Sequence, residues 1–308
     1  MNRKKLNAAI AELADDFDAI EWDRRKVGNS LVQMWPGRSD EEIMICVFRG
    51  SDIHEPFHRQ DFFFLNYAYK GDYGAISEKY DNHITVKENS CYIGRPNADY
   101  AIYGHNNEEV IIIGVLIQKE SFLKNYFSIL AADSGMFRFF LTQDIGSFED
   151  EYLQLDFDRD SMIRNLLEWM VIKYAEKKEE TQQILRPMTV SLLLEIAGQR
   201  RKSRKEVLND RISDQFVRYI EDHFDHVTLA DIAAHYSYHP NYVSTVLTKE
   251  TGKSFSAHVL EQRMARARIL LQNTTLSVAD IAEMLGYSNT SNFHKAYKEY
   301  YGTTPRES

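Results

Sequence analysis

The chain has 308 residues, 44% hydrophobic and 12% aromatic, which is enough for two domains with separate cores and excludes a disordered chain. Its formal net charge of −9 argues against a nucleic-acid partner only until the distribution is read, because residues 199–308 hold 15 Lys+Arg against 13 Asp+Glu while the remainder is strongly acidic. Two cysteines, Cys46 and Cys91, are too few for a disulfide framework and match no metal spacing, so they read as buried thiols in a reducing cytosol.

The N-terminal stretch 1–26 places Leu6, Ile10, Leu13 and Phe17 at helical spacing, predicting an amphipathic helix. Glu12, Asp15, Asp16 and Asp18 break its apolar run, which excludes a signal peptide. The longest apolar-plus-Gly run, Val110–Ile117, is far shorter than the roughly 20 residues of a membrane helix. A cytoplasmic chain with no membrane partner is the expectation.

Residues 27–158 change character. "EEIMICVFRG", "DFFFLNYAYKGDYGAIS", "SCYIGRP" and "EEVIIIGVLI" are short β-branched and aromatic runs separated by Gly, Asn and Asp clusters, the pattern of an all-β sandwich or barrel. The Phe-rich stretch 121–150 is compatible with helix or irregular chain. Over 159–198 the period becomes helical. Ile163, Leu166, Leu167, Met170 and Tyr174 form one stripe, and "TQQILRPMTVSLLLEIAG" forms a second, with Pro187 placed in its first turn and Ala197-Gly198 closing it. This helical pair is either a dimerisation surface or core within one subunit. The basic tract "RRKSRK" has no apolar period and reads as part of a linker over 199–209, either merely solvated or a phosphate-contacting arm.

Residues 210–308 contain a duplicated unit. Ala-Asp-Ile-Ala stands at 230–233 and again at 279–282, followed by Tyr238 and Tyr287; beyond the turn Val243 pairs with Phe293, Leu247 with Tyr297 and Gly252 with Gly302. Thr228 and Ser277 are predicted N-caps with Asp231 and Asp280 in the first turns. A short helix ending near Ser237 or Gly286 and a second over 239–250 or 289–300 make two helix-turn-helix units. The second helices leave Asn241, Ser244 and Thr245, and Thr290, Ser291, His294 and Lys295, on their non-core faces, where short hydrogen-bonding side chains suit base edges in a major groove. Lys249, Lys253 and Lys298 are candidate phosphate contacts. Between the units, residues 254–273 carry Phe255, Val259, Met264, Ala267 and Leu271 at helical spacing. Such a rod spans on the order of 30 Å, close to the roughly 34 Å between successive major-groove segments on one face of DNA.

On these residues, segment 213–308 resembles the DNA-binding domain of the AraC/XylS-type transcriptional regulators. "ADIAEMLGYSNTSNFHKAYKEYYGTTP" carries that family's spaced Ala, Gly-Tyr, Ser-x-Phe, Lys-x-Tyr-Lys, Gly and Thr-Pro, and "NYVSTVLTKETGKSF" matches in spacing and apolar positions. His239-Pro240 at the head of the first recognition helix is a departure, and the tail at "TPRES" is shorter than in many members. The β-rich front resembles, more weakly, the cupin-like sensor domain of such regulators. Where a metal-binding cupin has its ligands, this chain has His58, Gln60, Phe64 and Tyr100, with Gly71 at the expected spacing, so no metal or other cofactor is expected. His54, His83 and His105 read as surface or loop residues. His58 and Gln60, two apart on a strand, share a face and with Tyr100 line a candidate effector pocket.

The expected architecture is thus α+β: a cupin-like barrel with flanking helices, then an all-α domain of two helix-turn-helix units joined by a long helix. The expected function is a non-enzymatic, sequence-specific DNA-binding regulator of transcription. Its partners would be double-stranded operator DNA, a small-molecule effector, a second copy in a homodimer, and RNA polymerase. The competing readings are a metal-dependent cupin enzyme with a DNA-binding appendage and a protein-binding scaffold.

Overall fold

The structure, a computed structural model, describes residues 2–27, 30–51, 53–77, 82–96, 98, 100–104, 108–126, 136, 139–140, 152–206, 211–274 and 276–307. It divides into one unit ending at Glu206 and another covering Val207–Ser308. The first unit opens with α1 (Arg3–Asp18), capped by Asn2, whose side chain accepts the Lys4 and Lys5 N–H groups. Leu6, Ile10 and Leu13 are buried as their spacing predicts, but the helix stops at Asp18 rather than running to residue 26. Strand β1 begins at Arg24.

Eleven strands are described: β1 (Arg24–Val27), β2 (Ser30–Gln33), β3 (Ile43–Gly50), β4 (His54–Gln60), β5 (Phe63–Lys70), β6 (Tyr73–Ser77), β7 (Asn82–Val86), β8 (Ser90–Gly94), β9 (Tyr100–Gly104), β10 (Val110–Ile117) and β11 (Tyr152–Asp156). They form a six-stranded sheet, order β1-β2-β4-β9-β6-β7, and a five-stranded sheet, order β11-β8-β5-β10-β3. One core cluster takes Phe64, Ala68, Ile112 and Leu116 from the second sheet and Tyr73, Ala75, Tyr100 and Ile102 from the first. The expected barrel is therefore two sheets packed over a shared core, with no closed barrel among the described residues. Strand β10 is buried at every position because the other sheet lies on one face while α1 and a later helix pack on its neighbour β3. That accounts for its unbroken apolar run. Cys46 and Cys91 are buried and unpaired, and burial pushes the Cys46 thiol up to about 12.

After β10, Lys119–Ser121 (α2) runs into a π turn over Phe122–Tyr126; most of the Phe-rich stretch that follows lies outside the described residues. Helices α3 (Met162–Ala175) and α4 (Thr181–Glu206) then pack together. Ile163, Leu167 and Met170 are buried along the expected stripe. Two expectations fail in α4. Pro187 lies inside the helix rather than in its first turn, and the helix continues through Gly198 and the basic tract to Glu206. Lys and Arg have high helix propensity, and a helix already nucleated on buried Leu192, Leu193 and Ile196 extends through one Gly at modest cost.

The second unit holds α5 (Ile212–Asp222), α6 (Leu229–Tyr236), α7 (Pro240–Thr251), α8 (Phe255–Asn273), α9 (Val278–Met284) and α10 (Thr290–Tyr301). Phe216, Ile220, Ile232, Val243, Val246 and Leu247 form the first helix-turn-helix core, which Phe255 and Val259 of α8 close. Ile281, Ala282, Leu285, Phe293 and Tyr297 are the buried residues of the second. Within α8, Met264, Ala267 and Leu270 are buried, whereas Leu271 is half-buried.

Candidate nucleic-acid interface and ligand cavity

Both short helices start in the same way. The Thr228 hydroxyl accepts the Asp231 N–H while the Asp231 carboxylate accepts the Thr228 N–H; Ser277 and Asp280 repeat the exchange, completing a capping box in each copy. Both turns close alike as well. Tyr238 N–H donates to Ala233 O at 2.8 Å, and Tyr287 N–H donates to Ala282 O at 3.0 Å. The copies differ at the turn residue, where Ser237 takes φ 59° and Gly286 takes φ 77°. Gly286 cannot be anything larger, because a Cβ there would overlap the backbone of Asp225 in the α5–α6 loop.

A second joint stands beside it. The Arg263 guanidinium, on α8, donates through Nε to Phe224 O and through Nη2 to Asp225 O, both at 2.9 Å. Its other face lies 5.2 Å from the Tyr287 ring centroid. One side chain thus ties the connecting helix to the loop before the first helix-turn-helix and to the turn of the second. The planar fork of Arg makes this three-way contact, which a Lys ammonium cannot reproduce. Arg266, one turn on, donates to Glu221 O and stacks on Phe224. The long helix acts as a clamp as well as a spacer.

The second helices are capped by His239, whose Nδ1 accepts the Asn241 N–H, and by Asn289, whose side chain accepts the Asn292 N–H. Pro240 sits at the first position of α7, where its missing N–H costs nothing. Gly252 and Gly302 end the two helices in the left-handed conformation. Of the residues expected to face DNA, Asn241, Thr245, Ser291 and Lys295 are exposed; Ser244, Thr290 and His294 are half-buried on the flanks. Lys249 and Lys298 are exposed. Lys253 is exposed too, but Glu261 holds its ammonium at 2.7 Å. Sequence reasoning passed over Thr248 and Asn292, which are exposed on the same helices. Helical spacing from the buried Val243 and Phe293 was signal enough to find both.

In the first unit, His58, Gln60 and Tyr100 lie together. Gln60 Nε2 donates to Tyr100 Oη at 2.7 Å and lies 3.3 Å from His58 Nε2, and the His58 and Tyr100 rings are 4.7 Å apart. These residues line a cavity of about 40 Å³ between the sheets. Phe17, Trp22 and Phe48 form its aromatic side. Phe64, in place of a ligand carboxylate, stacks on Tyr100 at 4.5 Å. Among the described residues, no group of three or more His, Cys, Asp or Glu side chains is placed to hold a metal ion. His54 and His83 are exposed, and His105 lies outside the described residues.

The cavity also takes polar residues that were not anticipated, among them Gln33, Asn66 and Glu55. Glu55 is three residues from His58, a spacing that puts side chains on opposite faces of a regular strand. Here Glu55 pairs with Ile102 and His58 with Tyr100, so one extra residue is bulged between them and both face the cavity. Burial raises the Glu55 carboxyl above its ordinary range, against the pull of His58 and Arg24.

Comparison with known proteins finds similarity in the C-terminal segment. Residues 232–308 match the helix-turn-helix domain family. The regulatory protein PocR of Salmonella typhimurium is 42% identical over 91 residues, 29% of this chain and 30% of that protein. The Bacillus subtilis HTH-type transcriptional regulator YtdP is 38% identical over 104 residues, 33% of this chain and 14% of that protein. Among solved structures, the C-terminal domain of AraT, a response regulator from Geobacillus stearothermophilus, is 32% identical, covering 32% of this chain and 83% of that one with a TM-score of 0.31. The matched stretch spans under a third of either curated relative's own length.

Proposed function

We propose that this chain, whose C-terminal segment is a helix-turn-helix domain of the AraC/XylS type, is a cytoplasmic, sequence-specific DNA-binding regulator of transcription that responds to a small molecule held in its N-terminal unit. The observation that carries the DNA-binding reading is the pair of capped, Gly-ended second helices with exposed polar faces, locked to one connecting helix through Arg263 and Gly286. A helix fits the major groove, and two fixed to one rod suit two successive segments of it. Footprinting of operator DNA tests this: protection of two neighbouring major-groove segments supports it, and protection of none refutes it.

The effector reading rests on the mixed cavity, polar at Glu55, His58, Gln60, Asn66 and Tyr100 and aromatic at Phe17, Trp22 and Phe48. A screen of small metabolites for a shift in thermal unfolding or in operator affinity tests it; replacing His58 and Gln60 together by Ala with no change in response refutes it. The cupin-like character of the two sheets belongs to the same reading. Homodimerisation is supported by Met162 and Trp169, one face of α3, which are 67% and 47% exposed. Sedimentation of the full chain decides it. Contact with RNA polymerase follows from the regulatory role and is tested by transcription reconstituted from purified components.

A further inference from the structure

The outward stripes of α7 and α10 differ in chemistry at matched positions. With Val243 aligned to Phe293, Thr245 stands where Lys295 stands and Thr248 where Lys298 stands, and all four are exposed. Each threonine hydroxyl donates to the carbonyl one turn back, Thr245 Oγ1 to Asn241 O at 2.8 Å and Thr248 Oγ1 to Ser244 O at 3.0 Å. A hydroxyl has one proton and two lone pairs, so with the proton committed to the helix it can only accept from a base. The same bond holds the rotamer and so fixes the methyl group. The lysines are the converse, ammonium groups that only donate. Glu299, 4.0 Å from the Lys295 Nζ, is an exposed partner that water screens.

Major-groove edges answer these two faces differently. A methyl group and an acceptor suit thymine C5-methyl and the adenine N6 amine; an ammonium suits O6 and N7 of guanine. We infer that the two halves of the domain read unlike segments, α7 an A·T-rich one through thymine methyls and α10 a guanine-bearing one. The binding site is then asymmetric, and the chain binds it in one orientation. This inference rests on the DNA-binding reading above.

The test is selection of bound sequences from a random duplex library with the full chain, followed by base-analogue substitution in the selected site. Uracil in place of thymine deletes one methyl and is expected to weaken binding about fourfold per contacted methyl, within one segment only. Substituting 7-deazaguanine is expected to weaken binding about five- to tenfold, in the other segment only. The double variant Thr245→Ser, Thr248→Ser keeps both hydroxyls and loses both methyls, so its affinity becomes indifferent to uracil. The double variant Lys295→Ala, Lys298→Ala becomes indifferent to 7-deazaguanine. Circular dichroism of each variant establishes that the helices persist. A selected site whose affinity ignores uracil everywhere, or whose uracil sensitivity survives in the double serine variant, overturns the inference and leaves DNA binding standing. Failure to enrich any sequence overturns the DNA-binding reading itself.

Discussion

Gly286 and Asp225 meet backbone to backbone: a Cβ built on Gly286 would stand 1.7 Å from the Asp225 carbonyl oxygen. Neither residue belongs to a recognition helix, yet their contact joins the turn of the second helix-turn-helix to the loop before the first. Gly286→Ala meets both this overlap and the left-handed backbone, and is expected to destabilise the C-terminal unit by at least about 1–3 kcal/mol. The matched change in the first copy, Ser237→Gly, relieves a left-handed non-Gly residue and is expected to stabilise by about 1 kcal/mol. Thermal unfolding of the two variants, moving in opposite directions, checks the assignment.

Arg263→Lys keeps the charge and removes the fork. The two carbonyls at Phe224 and Asp225 lose a shared donor, at a cost of about 1–3 kcal/mol, and Tyr287 loses its stacked cation. The expected result is a footprint with one segment retained and its neighbour weakened, because the contacts of each recognition helix persist while their mutual position loosens.

The two classes of lysine separate by their response to random DNA. Lys295→Ala is expected to weaken specific binding by about 1–3 kcal/mol and random binding little. Lys249→Ala is expected to weaken both equally and to lower the salt slope by about one. Titration at several salt concentrations, with specific and random duplexes, measures both quantities.

Gln60→Leu leaves the buried Tyr100 hydroxyl without its 2.7 Å partner and is expected to cost about 1–3 kcal/mol. Adding Tyr100→Phe removes the other half of the pair, so the double variant is expected to be less destabilised than the sum of the two. Denaturant titration of the four proteins of the cycle gives the coupling.

The Glu55 carboxyl has a folded value raised above its unfolded value of about 4.5. The folded state therefore binds more protons between the two values, and stability falls as pH rises through that window; it is whole below the unfolded value. Glu55→Gln has no proton to lose and is expected to flatten this decline. Unfolding curves from pH 4 to neutrality compare the two slopes.

The C-terminal unit was legible because its signals are local: caps, an apolar stripe of period 3.6, and a repeat that reads the same turn twice. The positions expected for Thr228, Ser277, Val243 and Phe293 are those they occupy. The clamp was not legible, since Arg263 looks like any charged residue on an amphipathic helix until Asp225 and Tyr287 are brought to it. Strand chemistry was visible in residues 27–158, but whether strands close or stack depends on long-range pairing that composition does not encode. The basic tract shows the converse failure. Its lack of an apolar stripe argued for coil, and its helix propensity won because Leu192 and Ile196 had already anchored the helix.

The extra residue between Glu55 and His58 gives the N-terminal unit an economical route to change. Deleting Phe57, which points outward, would restore even alternation and turn the Glu55 carboxylate away while His58, Gln60 and Tyr100 kept their places. Losing one codon would thus retire an acid without replacing any amino acid, and gaining one would recruit it. Descendants of such an ancestor would differ in what they admit while aligning, apart from a single gap, as near-identical strands.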